Sequence, residues 1–432
     1  MRILSLTAGA ASMYCGSCLR DNALAAELIR QGHDVTLLPC YTPTLTDEEN
    51  VSRQQHIFFG GISVYLEQHV PWFRTGRLLD RFLDAPAVIK AFTSGSIAVD
   101  PKQLGAMTVS TLRGAAGHQR KEIDKLIEFV RSEPAPDIVN VPYTLLINLV
   151  APLKRALGRP VVVTLQGEDL FLEALPEPYQ SEALRLVRSQ IADADGFIAV
   201  SDYYARFMSE YLRIPASKMR VARLGVNVAD LSISDRARSP EPFTIGYFAR
   251  IAPEKGLDNL AHAYRILRTS KGLPPSRLVA AGYLPPEHKP YLERIARELT
   301  AAGLGDEFVY RGAVDRAKKV QFFHDLDVLS VPSPYHEPKG LYVLEAMACG
   351  VPVAQPNHGA FPEIIARTGG GVLARSDAGA DVADAIHELW ADRAGAREMG
   401  RRGAAAVRSQ YTAQHMAAAV LKAYQSVVEA TC

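Results

Sequence analysis

The sequence lacks a surplus of charge of either sign. Its 432 residues carry 48 Lys and Arg against 47 Asp and Glu, a formal net of +1. Nucleic-acid binding draws on clustered excess basic charge, so nucleic acid is not expected as a partner. Cysteine is also scarce. Five residues, an odd and sparse set, fit a reducing cytoplasm better than a disulfide scaffold. A long hydrophobic run is missing too. The most apolar stretch, Thr144–Leu153, is interrupted by Asn148 and Pro152, whereas a membrane span needs about 20 apolar residues. At the start of the chain only Ile3–Leu6 is strongly apolar, which reads as a first strand and not as a secretory signal. There is no internal repeat and no low-complexity tract. A hydrophobic share of 48% and a charged share of 22% exclude a disordered chain.

What is present is alternation. Short apolar runs rich in β-branched residues recur at Arg2–Leu6, Asp34–Leu38, Asp137–Val141, Val161–Leu165, Gly196–Val200 and Arg220–Leu224. They continue at Phe243–Phe248, Arg277–Ala281, Phe308–Arg311, Val328–Val331 and Val351–Ala354. Helical patterns such as Leu19–Gln31, His118–Arg131 and Gln180–Ala194 lie between them. Strands alternating with helices predict parallel, doubly wound sheets, and continuously apolar strands predict sheets covered on both faces. The polar stretch Asp230–Pro242 separates two complete α/β patterns. The expected domains are 1–235 and 236–411, with a final helix over 412–432 returning to the first.

The segment 67–121 does not fit the alternation and reads as a helical insertion. Within Val70–Lys121, eight basic residues face three acidic ones, a local net of +5, with Trp72, Phe73, Phe82 and Phe92 interleaved. An amphipathic element packed on the first domain explains this. An acceptor surface, or peripheral contact with an anionic membrane through 70–121, explains it as well.

The richest chemistry lies in Ser333–Glu363, SPYHEPKGLYVLEAMACGVPVAQPNHGAFPE. Pro338 and Gly340 resist helix, and Leu341–Cys349 reads as a short helix closed by Gly350. Glu337 then sits on the loop before the helix and Glu345 a turn inside it. The amides near Gly340–Tyr342 form an anion site aided by the helix dipole. Two carboxylates flanking such a site suit a ligand that carries both phosphates and hydroxyls, as a nucleotide sugar does. Upstream, FARIAPEKG places Arg250 and Lys255 on a loop after the first strand of the second domain. Two cations there can neutralise a departing diphosphate without a metal ion.

These pieces resemble the family 4 glycosyltransferases. FARIAPEKG, VAAGY, YRGAV, DVLSVPS, HEPKGLYVLEAMACGVPVA and GAFPEII follow in the family's order over residues 243–375. The first half is similar more loosely, through its first strand, a glycine turn, QGHDV, VVVTLQGED and FIAVSD. The resemblance implies a GT-B fold: two facing Rossmann-like domains, each a doubly wound parallel sheet, with a cleft between them. It implies a retaining, metal-independent transfer from a nucleotide-diphosphate sugar to an acceptor hydroxyl, with no cofactor. Arg250 and Lys255 would bind the diphosphate, and Glu337 would face the donor sugar. Gly340 and Leu341 would present backbone amides, and Glu345 would bind ribose hydroxyls. The loop Arg311–Val314 would contact the base, Val314 included, and Gly16 would approach the diphosphate from the first domain. The acceptor, whether a sugar, a lipid-linked molecule or another small molecule, is not implied. The setting would be the cytoplasm, or its membrane face.

The chain departs from the family's pattern at three places. Relatives often carry His after the fourth strand, where this chain has Gln166, then Gly167, Glu168 and Asp169. Gln cannot act as a base, so Gln166 would serve as a hydrogen bonder, or Glu168 or Asp169 as carboxylates. Pro338-Lys339 replaces a Gly-Phe pair, and Lys339 either meets an anionic group or points to solvent. The glycine turn reads Cys15-Gly16-Ser17-Cys18. That Cys-x-x-Cys admits a redox or metal role, or thiols that line the turn. Asp325-Leu326-Asp327 has the spacing of a metal-binding Asp-x-Asp motif, but its helix-to-strand setting favours a structural role. A sugar-nucleotide epimerase or phosphorylase on the same fold, and a non-catalytic nucleotide-sugar binder, remain alternatives.

Overall fold

The apolar runs of the first half pair side by side, all parallel, in the computed structural model, which describes residues 1–9, 14–53, 101–233 and 242–431. They are β1 (Arg2–Thr7), β2 (Asp34–Pro39), β3 (Ile138–Val141), β4 (Val161–Leu165), β5 (Gly196–Ala199) and β6 (Met219–Val221). Their order is β2-β1-β3-β4-β5-β6. The second half gives β7 (Phe243–Phe248), β8 (Ser276–Ala281), β9 (Phe308–Tyr310), β10 (Val328–Leu329), β11 (Val353–Pro356) and β12 (Gly371–Ala374). They form a second parallel sheet, β12-β11-β10-β7-β8-β9. Parallel neighbours need a crossover, and helices supply it. Every residue of β3, β4 and β5 is buried, as a strand covered on both faces requires.

The chain divides into two compact units. The first comprises Met1–Leu224 and Met416–Cys432, and the second Gly225–His415. The last helix, Ala413–Thr431, reaches the first sheet's edge, where Arg220 Nε donates to Ser426 Oγ at 2.7 Å. The boundary expected at 235/236 falls in 234–241, outside the described residues, as do 54–100 with Arg74, Arg77 and Arg81 of the basic segment. Of that segment's described part, Pro101–Leu112 is helical. The apolar stretch from Thr144 forms a 3-10 turn and the helix Val150–Leu157. No described helix is long and apolar enough to cross a membrane.

Three aspartates repeat one device at the start of a strand. Asp137, Asp195 and Asp327 each donate a backbone N–H to the neighbouring strand (Arg2, Val161 and Thr244) at 2.8–2.9 Å. Each then accepts that neighbour's next free N–H on its carboxylate, from Arg2, Val161 and Thr244, at 2.7, 2.8 and 2.9 Å. Asp327 also pairs with Arg393 at 3.1 Å, and Asp325 with Arg311 at 3.1 Å. The Asp-x-Asp pair is thus consumed by the scaffold, and among the described residues no group of three His, Cys, Asp or Glu is placed to hold a metal ion.

The strands β4 and β7 coincide with the sequence expectation, and the ends of the other expected strands differ from it by at most three residues. Val351 is held by Ala346 O at 3.0 Å as the preceding helix ends, so β11 starts at Val353. The strand β12 was not expected. It begins on Gly371 at the end of a glycine run, and it is only partly buried.

Close helix packing in the second unit relies on glycine. A Cβ at Gly400, in the helix Arg393–Gln410, would stand 2.2 Å from the carbonyl oxygen of Gly350. Propensity alone favours Ala over Gly in a helix by about 1 kcal/mol. The collision with backbone outweighs that gain, because overpacking costs about 1–3 kcal/mol. Gly400→Ala is therefore expected to lower the urea midpoint, and a raised midpoint would refute the packing argument.

Candidate active site

In an open α/β sheet, ligands bind outside the carboxyl ends of the strands, where the strand order reverses. In the second sheet that point lies between β7 and β10. Two loops leave these strands and fasten to each other. After β7 come Arg250, the 3-10 turn Pro253–Lys255 and Gly256, whose φ of +70° suits glycine. A Cβ at Gly256 would also lie 2.0 Å from Pro332 O on the other loop. Ser333 Oγ donates to Glu254 O at 2.7 Å.

These loops bring Lys255 and Glu337 into an ion pair, with side chains 16% and 6% exposed. Burial pushes the Glu337 carboxyl up, but the Lys255 ammonium, aided by Lys339, outweighs it and holds the carboxyl below its ordinary value. Lys255 also lies 5.5 Å from the centre of the Tyr335 ring. The backbone of Glu337 is fixed as well, its carbonyl accepting from Ala360 N at 2.8 Å. Arg250 pairs with Glu254 in a more open setting, 36% and 26% exposed.

The chain then turns at Gly340, φ +66°, into the helix Leu341–Ala348, and no side chain caps that helix start. Glu345 lies buried inside the helix. Lys319 Nζ donates to its Oε1 at 2.6 Å, and Arg316 stands 3.5 Å away. Arg316 in turn holds Asp230 at 2.6 Å. The loop Arg311–Val314 leads into the helix that carries both cations, with Val314 partly buried. At the helix C-terminus Arg408 donates to Ala348 O at 3.0 Å, where the dipole favours a cation.

Polar atoms without partners gather near Glu337. Tyr342 Oη and both ring nitrogens of His358 are buried and find no hydrogen-bond partner among the described residues. His358 stacks on His336, ring centres 4.3 Å apart. Burial and His336 push the His358 imidazole below its ordinary value, towards the neutral form.

In the first sheet the order reverses between β1 and β3. Asp21 is buried there, accepting from Thr7 Oγ1 at 3.0 Å, from Arg20 Nη1 at 3.0 Å and from Gln166 Nε2 at 3.3 Å. Gln166 Nε2 also donates to Pro142 O at 3.0 Å. Gln166 Oε1, and Nε and Nη2 of Arg20, are left without a partner among the described residues. Glu168 is used differently. Its oxygens accept from Thr144 N and Oγ1 at 3.2 Å, Gln166 N at 2.9 Å and Gly167 N at 3.1 Å. Burial pushes its carboxyl above the ordinary value, with Asp169 adding to that and the backbone N–H groups opposing it. Asp169 accepts from Tyr204 Oη at 2.6 Å. Gly16 opens the helix Gly16–Arg30, with Cys15 as its N-cap.

Of the residues singled out from sequence, the structure joins Lys255 to Glu337 and Gln166 to the turn of Glu168. Glu345 stands in a separate buried pair. Lys319, Arg316, Arg20, Asp21, Tyr342 and His358 were not anticipated. For the first two, a basic run on the helix after YRGAV was the available signal. For Asp21 it was an acidic residue one turn into a helix that follows the first strand.

Residues 231–406 match the family described as glycosyl transferases group 1, and residues 113–230 match Glycosyltransferase Family 4. D-inositol 3-phosphate glycosyltransferase of Paenarthrobacter aurescens is 30% identical over 293 residues, covering 63% of this chain and 68% of the relative. A GDP-mannose-dependent alpha-(1-6)-phosphatidylinositol monomannoside mannosyltransferase of Mycobacterium tuberculosis is 27% identical, covering 62% and 71%. Among solved structures, sucrose-phosphate synthase from Thermosynechococcus elongatus covers the whole of both chains with a TM-score of 0.72 at 18% identity. The Anabaena protein HepE in complex with UDP-glucose covers 100% of this chain and 99% of its own, with a TM-score of 0.65 at 17% identity. With both sheets of the GT-B fold in place and both halves matched, the chain belongs to the family 4 glycosyltransferases.

Proposed function

We propose that this glycosyltransferase moves a sugar from a nucleotide-diphosphate sugar to an acceptor hydroxyl, with retention at the anomeric carbon and without a bound metal ion. The observation that carries the reading is the buried Lys255–Glu337 pair beside the uncapped helix start at Gly340, with Arg250 on the same loop. Each cation is neutralised by its own carboxylate. A diphosphate would share Lys255 with Glu337 and draw Arg250 from Glu254. The amides of Gly340 and Leu341 would add donors for phosphate or sugar oxygens. Two fixed cations then stabilise the charge that builds on the leaving nucleotide, the part a metal ion plays in other transferases.

Retention follows a front-face route in this proposal. The bond from the anomeric carbon to the phosphate oxygen breaks with its electron pair going to the nucleotide. The acceptor oxygen bonds to the same face, and its proton passes to the departing phosphate oxygen. Glu337 would accept hydrogen bonds from donor hydroxyls. Glu345, with Lys319 fixing one of its oxygens, would accept from the ribose, and Val314 would contact the base. HepE was solved with UDP-glucose, and the mycobacterial relative is named for GDP-mannose. Both names support a nucleotide-sugar donor here. In the first unit, Gln166 is oriented by Asp21 and Pro142 so that only its Oε1 is left to accept a hydroxyl. Glu168 and Asp169 would support that turn.

Lys255→Ala and Glu337→Ala should each lower turnover by more than about tenfold while circular dichroism shows a folded chain. Near-native rates for both would break the assignment. Thermal shift against UDP-, GDP- and ADP-sugars, with and without Mg²⁺, should show one metal-independent class of stabilising ligand, diminished in Glu345→Gln. A shift that appears only with Mg²⁺ would refute the metal-free reading.

The Lys255–Glu337 pair also predicts a pH dependence. A carboxyl held below its ordinary value stabilises the fold fully above its unfolded pKa, about 4.3. That stabilisation is lost as pH falls through the lower, folded value. The stability gap between the native chain and Glu337→Gln should hold from neutral pH to about 5 and shrink below about 4. A gap independent of pH, read by urea unfolding, would contradict ionic pairing.

A further inference from the structure

The turn ahead of the first helix carries two thiols that the proposed chemistry leaves unused. Cys15 is the N-cap of the helix Gly16–Arg30, in extended backbone (φ −103°, ψ 123°), and Cys18 is the third helical residue. An N-cap side chain reaches towards the third helical residue. Cysteine at both positions therefore brings two sulfurs together, and the side chains of Cys15 and Cys18 are hydrogen-bonded to each other. Leu19 N donates to Cys15 O at 2.9 Å, which closes the turn. The Cys-x-x-Cys spacing at a helix start is the one in which two thiols exchange with a disulfide. Cys15 is partly exposed, whereas Cys18, Cys40 and Cys349 are buried.

We propose that Cys15 and Cys18 form a reversible disulfide by exchange with a small-molecule disulfide, and that this bond alters the turn bearing Gly16. The Cys15 thiolate attacks one sulfur of the small disulfide, forms a mixed disulfide and releases one small thiolate. Cys18 then gives its proton to solvent, and its sulfur attacks that of Cys15 and expels the second small thiol. Two protein thiols are oxidised and one small disulfide is reduced. Cys15 attacks first because, among the described thiols, it alone is partly exposed, and it stands at a helix N-terminus, which favours thiolate. Cys18 keeps its proton until then, since its hydrogen bond to Cys15 and its burial both push its pKa up.

The test treats the full chain with glutathione disulfide, quenches with acid and maps the thiols by mass spectrometry. The expected product is a Cys15–Cys18 link, lighter by the two thiol hydrogens and undone by dithiothreitol. Cys18→Ser should retain a glutathione adduct on Cys15, and Cys15→Ser should leave Cys18 unmodified. A lasting adduct on Cys15 of the native chain, or first reaction at Cys40 or Cys349, would overturn the proposal. The effect on ligands rests on the reading that sets the Gly16 turn against the donor. Thermal shift with nucleotide sugars on the mapped, oxidised chain separates the two. A reduced shift supports both, whereas an unchanged shift overturns the Gly16 reading and leaves the disulfide standing.

Discussion

The ion pair between Lys255 and Glu337 is the constraint around which the second unit's site is arranged. A buried charge that loses its partner costs about 3–5 kcal/mol, so both loops that supply the pair must be held in place. Gly256 lies against Pro332 O, Ser333 binds Glu254 O, and Ala360 N binds Glu337 O. Each contact fixes one end of the pair. The result is a cation held in a fixed place, and under the proposed function such preorganisation avoids reorganisation cost during reaction. The Arg250–Glu254 pair follows the same logic with more solvent around it. Screening makes that pair the weaker one and Arg250 the easier cation to redirect.

The two sheets use the ends of their strands in different ways. In the second, Lys255 and Arg250 are each paired with one carboxylate, and a ligand anion can compete for these cations. In the first, the Glu168 carboxylate is consumed by backbone N–H groups and a threonine hydroxyl. It braces the turn after β4 and has little capacity left for a ligand. Arg20 and Asp21 hold each other there. Among the described residues, Gln166 Oε1 and Nε and Nη2 of Arg20 are left without a partner there. Under the proposed function the strand ends of the second unit would take the diphosphate, and those of the first would meet neutral hydroxyls.

Much of this was legible in the sequence because the key residues sit in local motifs. FARIAPEKG fixes Arg250 and Lys255 to the end of a strand, and HEPKG fixes Glu337 just ahead of a helix start. The parallel strand type follows from apolar runs separated by helix-length segments. What was not legible is long-range. The sequence does not say that Lys255 meets Glu337, 82 positions later, since only the strand order β10-β7 brings them together. The Lys319–Glu345 pair joins two helices on opposite sides of a strand, and neither helix signals the other. The edge strand β12 escaped because its glycine start and partial exposure erase the apolar pattern that marks a strand. The Asp-x-Asp motif shows the reverse case. Its spacing suggests metal, but its position before a strand gives each carboxylate a scaffold partner.

Glutamine in place of the family's frequent histidine has a physical consequence. An imidazole at that position would change charge near neutral pH, whereas an amide does not titrate. The Gln166 amide also cannot flip freely. Its NH₂ group faces the Asp21 carboxylate and Pro142 O, and a flip would set oxygen against oxygen at both. Its Oε1 is therefore held as an acceptor, with Arg20 fixing the Asp21 carboxylate from the other side. The Gln166 side chain therefore adds no titration to the first unit's turn, whereas the Glu168 carboxyl in the same turn, pushed up by burial, does titrate.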